Sequence, residues 1–273
     1  MTNTPAPWLV VLDIDGTTLH HDGSVSDGVR AQVRRLDSVG HQVMLATGRS
    51  PAATIPVLGQ LGITPRYLVC SNGAITLRRD PLAPFGYRRK WVELFDPTDA
   101  LRSIRSYLRN ARFAIEDEHG RYRYTEPFPN ATIGLDSEHV ERVEFNALLN
   151  RPVSRVIVIS PDHDIADFRA TVEKMGLHQV SYALGWTAWL DIAAEGVNKA
   201  AAMERVRVEL GISRTRVMAV ADGYNDIELL DWACHGGRGV AMGQSPSDVI
   251  DVACEITGSV HEDGLAQVLA TLD

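Results

Sequence analysis

Two carboxylates stand two positions apart in "WLVVLDIDGTTLH", residues 8 to 20, directly after the apolar run Trp8 to Leu12. Like charges that close repel, so something positive or reactive is expected beside Asp13 and Asp15. Other strand-like segments also end in polar residues. Thr47, Gly48 and Arg49 follow one, Ser71, Asn72 and Gly73 a second, and Asp222, Asn225 and Asp226 a third. In an open parallel sheet, ligands bind beyond the carboxyl ends of the strands. Acidic residues brought to that rim from two remote segments make a site for a hard cation. Magnesium suits it, because it takes a few carboxylates and completes its shell with water and phosphate oxygens. The chain has only three lysines, Lys90, Lys174 and Lys199, so a lysine at a critical position would stand out.

Each feature has a plainer reading. Asp-x-Asp-Gly, Thr47-Gly48 and Asp222-Gly223 are all good turns, and Asn225-Asp226 can cap a helix. A lysine near a helix start is ordinarily a solvated surface charge. What favours chemistry is the order of these residues and the strand end that precedes most of them.

The elements that must position them alternate. "WLVVLDID" reads as a buried strand, "SDGVRAQVRRLDSVG" as a helix opened by Ser26 and closed by Gly40, and "HQVMLATGR" as a second strand. "SPAATIPVLGQLGI" and "RYLVCSNGA" continue the rhythm, which implies parallel strands with right-handed crossovers. After about residue 80 the pattern changes to a helix, a hairpin turning at His119-Gly120, and further strands around one helix. From about residue 196 the first rhythm returns, with "NKAAAMERVRVELGI", "RVMAVADG", "NDIELLDWAC" and "GRGVAM". The expected fold is therefore α/β, a doubly wound, Rossmann-like core over residues 1–81 and 191–273, interrupted by an α+β unit over 82–190.

Composition narrows the function. A formal charge of −8 argues against a nucleic-acid backbone as the main partner. No apolar run approaches the roughly 20 residues of a membrane helix, and "MTNTPAP" lacks the features of a signal peptide. Cys70, Cys234 and Cys254 are odd in number and scattered, which suits a reducing cytoplasm better than a disulfide framework or a zinc site. A soluble cytoplasmic protein is expected; the sequence does not fix its oligomeric state.

The sequence resembles the haloacid dehalogenase superfamily of phosphatases, in the Cof-like branch with a large α/β cap. The resemblance is carried by "DIDGT" at 13–17, "LATGR" at 45–49, "SNGA" at 71–74, "GVNKAAAMERV" at 196–206 and "ADGYNDIELL" at 221–230, extended by "GVAMG" and "EDGLAQVL". It implies Asp13 as the nucleophile that becomes an aspartyl-phosphate, and Asp15 as the acid and base. Thr47 would bond a phosphoryl oxygen, with Gly48 and Arg49 beside it, and Lys199 would neutralise charge. Asp13, Asp222 and the Asp15 carbonyl would hold magnesium. Asp226 would support that shell directly or through water, and Asn225 would position Lys199 or the phosphate. The chain departs from the family pattern at Ile14, Ala221, Leu229 and Gln244-Ser245. Alanine at 221 is harmless if the backbone there is extended.

The implied activity is hydrolysis of small phosphorylated metabolites such as sugar phosphates. A phosphomutase and a non-catalytic phosphometabolite-binding protein are the alternatives. The cap would choose the leaving group; Trp186, Trp189, Arg121 and Arg123 could touch it, although tryptophans at strand spacing also suit a cap core.

Overall fold

The computed structural model describes residues 6–128, 140–177, 180–184 and 188–273. Trp186 lies outside the described residues.

Five parallel strands form the central sheet. In chain order its elements are β1 (Leu9–Leu12), α1 (Asp27–Ser38), β2 (Gln42–Leu45), α2 (Pro51–Leu61) and β3 (Tyr67–Cys70). The order β14-β13-β12-β1-β2, where β12 is Val217–Ala221, β13 Arg238–Ala241 and β14 Glu255–Ile256, is continued by β3 through an Ala46–Val69 bridge. The apolar runs are uniform because both faces of the sheet are covered. Val10 and Leu12 enter one core with Val43, Leu45, Met218 and Val220. Leu9 and Val11 enter the other with Met44, Ala46, Ala219 and Ala221. Helix α1 starts where Ser26 accepts a bond from the Val29 amide, and α2 where Ser50 accepts from Ala53. The first crossover helices thus begin and end near the expected residues.

The ladder then continues antiparallel through β4 (Ile75–Arg79) and β5 (Tyr87–Val92), order β3-β4-β5. Glu93 still bonds back to Ala74, whereas Phe95 pairs with Val153. The next unit comprises α3 (Thr98–Tyr107), β6 (Arg112–Glu116), β7 (Tyr122–Tyr124), β8 (Val140–Arg142), β9 (Arg155–Ile159), α4 (Ile165–Met175), β10 (Val180–Leu184) and β11 (Trp189–Ala194). Its six-stranded sheet runs β10-β11-β9-β6-β7-β8 and buries Phe113, Val156, Val158 and Leu190 against Leu101, Ile104 and Phe168 of the two helices. The edges at 81/82 and 190/191 fall between the paired strands β4 and β5 and inside β11.

The chain returns to the central sheet through α5 (Lys199–Leu210), β12, α6 (Ile227–Cys234) and β13, then α7 (Ser247–Ile250), β14 and α8 (Gly264–Leu269). One expectation fails: Cys234, ending α6, is disulfide-bonded to Cys254, just before β14, leaving buried Cys70 as the free cysteine. Spacing hid the pair because the crossover between them folds back on itself. Their Cα atoms lie 5.8 Å apart despite a separation of 20 residues.

Candidate active site

The side chains at the carboxyl rim converge as the strand order dictates. Strand β1 pairs with β12 on one side and β2 on the other, so Asp13, Asp222 and Thr47 leave three adjacent strands. The Asp13 amide donates to the Val220 carbonyl at 3.0 Å, carrying the ladder one residue past β1. Asp13, Asp222 and Asp226 are all buried, and one carboxylate oxygen from each lies within 4.8 Å of the others.

Lys199 is the counter-charge. It is the first residue of α5, behind the N-cap Asn198, and only 1% exposed. A cation at a helix N-terminus opposes the helix dipole, and a buried one loses its hydration as well. Two contacts offset this: Nζ donates to Asp13 Oδ1 at 2.7 Å and to Asp226 Oδ1 at 2.6 Å. Burial pulls the Lys199 pKa down, but Asp13 and Asp226 outweigh it, and the net shift is upward. The solvated-lysine reading does not hold.

Charge counting then becomes informative. Three buried carboxylates face one ammonium, which leaves two negative charges uncompensated. Burial drives the Asp13 pKa well above the ordinary carboxylate range against the pull of Lys199, and burial, with the neighbouring Asp226, raises Asp222 to about 7. An all-oxygen cluster with a deficit of two charges fits a divalent hard cation. Asp13 and Asp222 would be the main ligands. Asp226 is already committed, with Oδ1 to Lys199 and Oδ2 to the Gly223 amide at 3.1 Å.

Asp222 is fixed from two sides. Thr17 donates to its Oδ1 at 2.9 Å. Gln244 Nε2 bonds the Gly16 carbonyl at 2.6 Å and reaches Asp222 Oδ2 at 3.5 Å, while its Oε1 accepts from the Val260 amide at 2.9 Å. Gln244 thus braces the loop after Asp15. Gly16 has φ +80°, and a Cβ there would sit 2.3 Å from Asp222 Oδ2, so only glycine lets this loop come so near. Ala221 closes β12 opposite Ala241, in the extended backbone that accommodates alanine.

Asp15 stands apart. Its side chain is 64% exposed and is gripped by Arg49, with Nε to Oδ2 at 2.8 Å. Thr47 is buried, and its Oγ1 accepts the Arg49 amide at 3.0 Å, so its own hydroxyl hydrogen must point elsewhere. Asn225 donates to Asn72 Oδ1 at 2.9 Å.

Sequence reasoning brought Ser71 and Asn72 to this rim but passed over their partners in the six-stranded unit. Asn72 donates to Asp191 of β11 at 3.0 Å, and Ser71 to Glu116 of β6 at 2.9 Å. Both Ser71 and Asn72 have positive φ, 49° and 51°, a costly conformation for residues other than glycine. Asp191 is in turn held by a buried Arg155. Of the proposed leaving-group contacts, Arg121 and Arg123 are paired with Asp117 and Glu141. Trp189 packs edge-on to Phe128 within a small apolar cluster. His119 lies in the expected turn, its amide bonded to Asp117.

The sheet order, the buried acidic triad and the lysine together define a haloacid dehalogenase-like hydrolase, and the sequence profile of that family matches residues 10–269. The chain belongs to this family. It is 26% identical over 273 residues to a 5-amino-6-(5-phospho-D-ribitylamino)uracil phosphatase of Bacillus subtilis, covering 96% of each chain. It is 24% identical to an HMP-PP phosphatase of Yersinia enterocolitica, covering 96% of this chain and 93% of that one. Among solved structures, a subclass IIB sugar phosphatase of the superfamily superposes with TM-score 0.79 at 19% identity, over 96% and 98% of the two chains.

Proposed function

We propose that this protein is a magnesium-dependent phosphatase that hydrolyses small phosphorylated metabolites through an aspartyl-phosphate. The observation that carries this reading is the buried cluster of Asp13, Asp222 and Asp226 around Lys199, two positive charges short of neutrality. The named phosphatases among its relatives support the same activity.

In this reading Asp13 is the nucleophile. Lys199 holds Oδ1, while Oδ2 has no hydrogen bond among the described residues and is the atom placed to attack phosphorus. Lys199 and the Thr47 hydroxyl stabilise the phosphoryl oxygens as charge spreads onto them. Asp13 and Asp222 hold magnesium, which supplies electrostatic stabilisation of the phosphoryl group. Asp226 orients Lys199 more than it binds metal. Asp15, outside the buried cluster, protonates the departing oxygen and then takes a proton from water. For that it must exchange its Arg49 partner for the substrate, and Arg49 is then free to bind a phosphoryl oxygen.

The six-stranded unit acts as a cap inserted into the core, with edges near Leu94 and Glu195, where backbone pairing changes partner. Among the described residues no helix is long and apolar enough to cross a membrane. We place the protein in the cytoplasm, where phosphorylated metabolites occur.

Asp13→Asn tests the reading. Free-phosphate release from a panel of phosphomonoesters should fall at least a thousandfold with the thermal transition preserved. Hydrolysis by the variant at the wild-type rate refutes the nucleophile. EDTA should abolish turnover and magnesium restore it. Phosphate appearing in solution without a bisphosphate activator separates hydrolysis from mutase action.

A further inference from the structure

The three carboxylates of the acidic cluster differ in how freely they can turn. Asp226 is held at both oxygens, by Lys199 and by the Gly223 amide. Asp13 is held at Oδ1 by Lys199, and its Oδ2 has no hydrogen bond among the described residues. Asp222 is hemmed in on both sides. Thr17 donates to its Oδ1 at 2.9 Å, while Gln244 Nε2 and the Gly16 backbone stand against Oδ2. Of the two carboxylates that would hold the ion, Asp222 is the restrained one, and Gln244 supplies part of the restraint.

Gln244 is itself anchored. It follows β13, where the Gly243 amide donates to the Gly258 carbonyl at 3.1 Å. Gln244 Oε1 accepts from the Val260 amide at 2.9 Å, which fixes the carboxamide orientation, because the amide N–H needs an oxygen to answer it. Nε2 then donates to the Gly16 carbonyl at 2.6 Å and stands 3.5 Å from Asp222 Oδ2. The second contact is long, so the hold on Asp222 comes chiefly through Gly16. A Cβ on Gly16 would lie 2.3 Å from Asp222 Oδ2, so the loop that Gln244 secures leaves this oxygen no room to swing toward it.

Freedom at a carboxylate decides which divalent ion it suits. Calcium takes more oxygens, at longer and more variable distances, and often both oxygens of one carboxylate. Magnesium takes few protein oxygens and demands that each be well placed. A carboxylate that cannot turn hinders the first ion and suits the second.

We propose that Gln244 is a positioning residue through which the cluster discriminates magnesium from calcium, by keeping Asp222 from turning to chelate with both oxygens. The inference rests on the phosphatase reading above, in which Asp13 and Asp222 hold the ion. Asp13 makes no contact with Gln244, so a change in selectivity on altering Gln244 reports on Asp222.

The test titrates magnesium and calcium separately into the metal-free full chain by calorimetry, without substrate. Gln244→Met keeps the reach of the side chain and removes its hydrogen bonds. Outer-sphere partners are worth about 10–100-fold in metal affinity, so magnesium should bind the variant about tenfold more weakly while calcium changes less than about threefold. A merely structural brace would weaken both ions alike. Parallel losses, or none, overturn the inference and leave the phosphatase reading standing, as does a wild type that binds calcium as tightly as magnesium. If urea titration in EDTA shows that Gln244→Met does not fold, Gln244→Glu replaces it. That variant keeps the Val260 bond and loses the donor to Gly16, and its magnesium-to-calcium ratio should narrow in the same way. A wild type that binds neither ion overturns both readings.

Discussion

Replacing Lys199 by methionine removes the charge and shortens the unbranched side chain by one heavy atom. In the wild type the ammonium lies 2.7 Å from Asp13 and 2.6 Å from Asp226, with no solvent-exposed side-chain surface. Breaking a buried ion pair by removing one partner costs about 3–5 kcal/mol, because the remaining charge stays buried and unpaired. Here two carboxylates lose the same partner, so the upper end of that range is expected when unfolding is followed by urea titration in EDTA at pH 8. Adding Asp226→Asn returns the cluster to its original net charge, and most of the lost stability should reappear. Activity should not reappear. Loss of one group that stabilises transition-state charge typically lowers kcat by about 10²–10³, and the double variant lacks that group as much as the single one. Stability recovered without turnover therefore separates the structural from the chemical role of Lys199. If K199M is as stable as wild type without metal, the ammonium does not offset the acidic cluster, and the charge argument for a divalent ion is refuted with it.

Four further outcomes are expected. Glu116 is fully buried, bonded through Oε2 to Ser71 and Tyr122, and burial raises its pKa above the ordinary glutamate value. A raised folded-state pKa gives stability that is present below the unfolded value near 4.5 and lost as pH rises through the folded one. Glu116→Gln should thus gain on wild type as pH increases from about 4.5, and urea midpoints differing by a constant at every pH would exclude this. Cys234 and Cys254 close a loop 20 residues apart in sequence, which on chain entropy contributes about 3 kcal/mol; Cys234→Ser should lose about that much under non-reducing conditions, and reductant should cost the wild type as much. Cys70 is buried with its thiol pushed up to about 12, so thiol titration should find it only after denaturation, and all three cysteines only after reduction as well. Gly73→Ala should destabilise markedly, since φ is +101° and the new Cβ would lie 2.2 Å from the Asn198 carbonyl at the cap of α5; an unchanged melting temperature contradicts that packing.

The catalytic half of the site is legible in the sequence because it is built from strand ends. Parallel strands buried on both faces must be apolar throughout, and they deliver their next residues to one rim, so Asp13, Thr47 and Asp222 could be placed together without knowing any side-chain contact. Lys199 was legible only through resemblance, because its burial depends on Asp13 and Asp226, partners 186 and 27 residues away. The β4–β5 hairpin escaped notice for a local reason. "LRRDPLAPFGYRRKW" carries charges on its exposed positions and a turn rich in proline, so the alternation that marks a strand is broken, and the ladder itself shifts register between Thr76 and Leu77.

Glu116 and Asp191, and the contacts that Gln244 and Asn72 make, were not legible for a different reason. Each acts by meeting a partner from another segment, and nothing in its own neighbourhood announces that meeting. The contrast has a functional consequence. Asp13, Thr47 and Asp222 depend on strand order, whereas the groups around Asp191 and Glu116 depend on how β11 and β6 sit against the loop at Ser71-Asn72. Substitutions in that contact should therefore alter which ester is chosen well before they alter whether phosphorus is attacked. Asp191 marks the division, since it lines the cavity beside the Ser71-Asn72 loop and, through Asn72 and Asn225, reaches the loop that begins with Asp222.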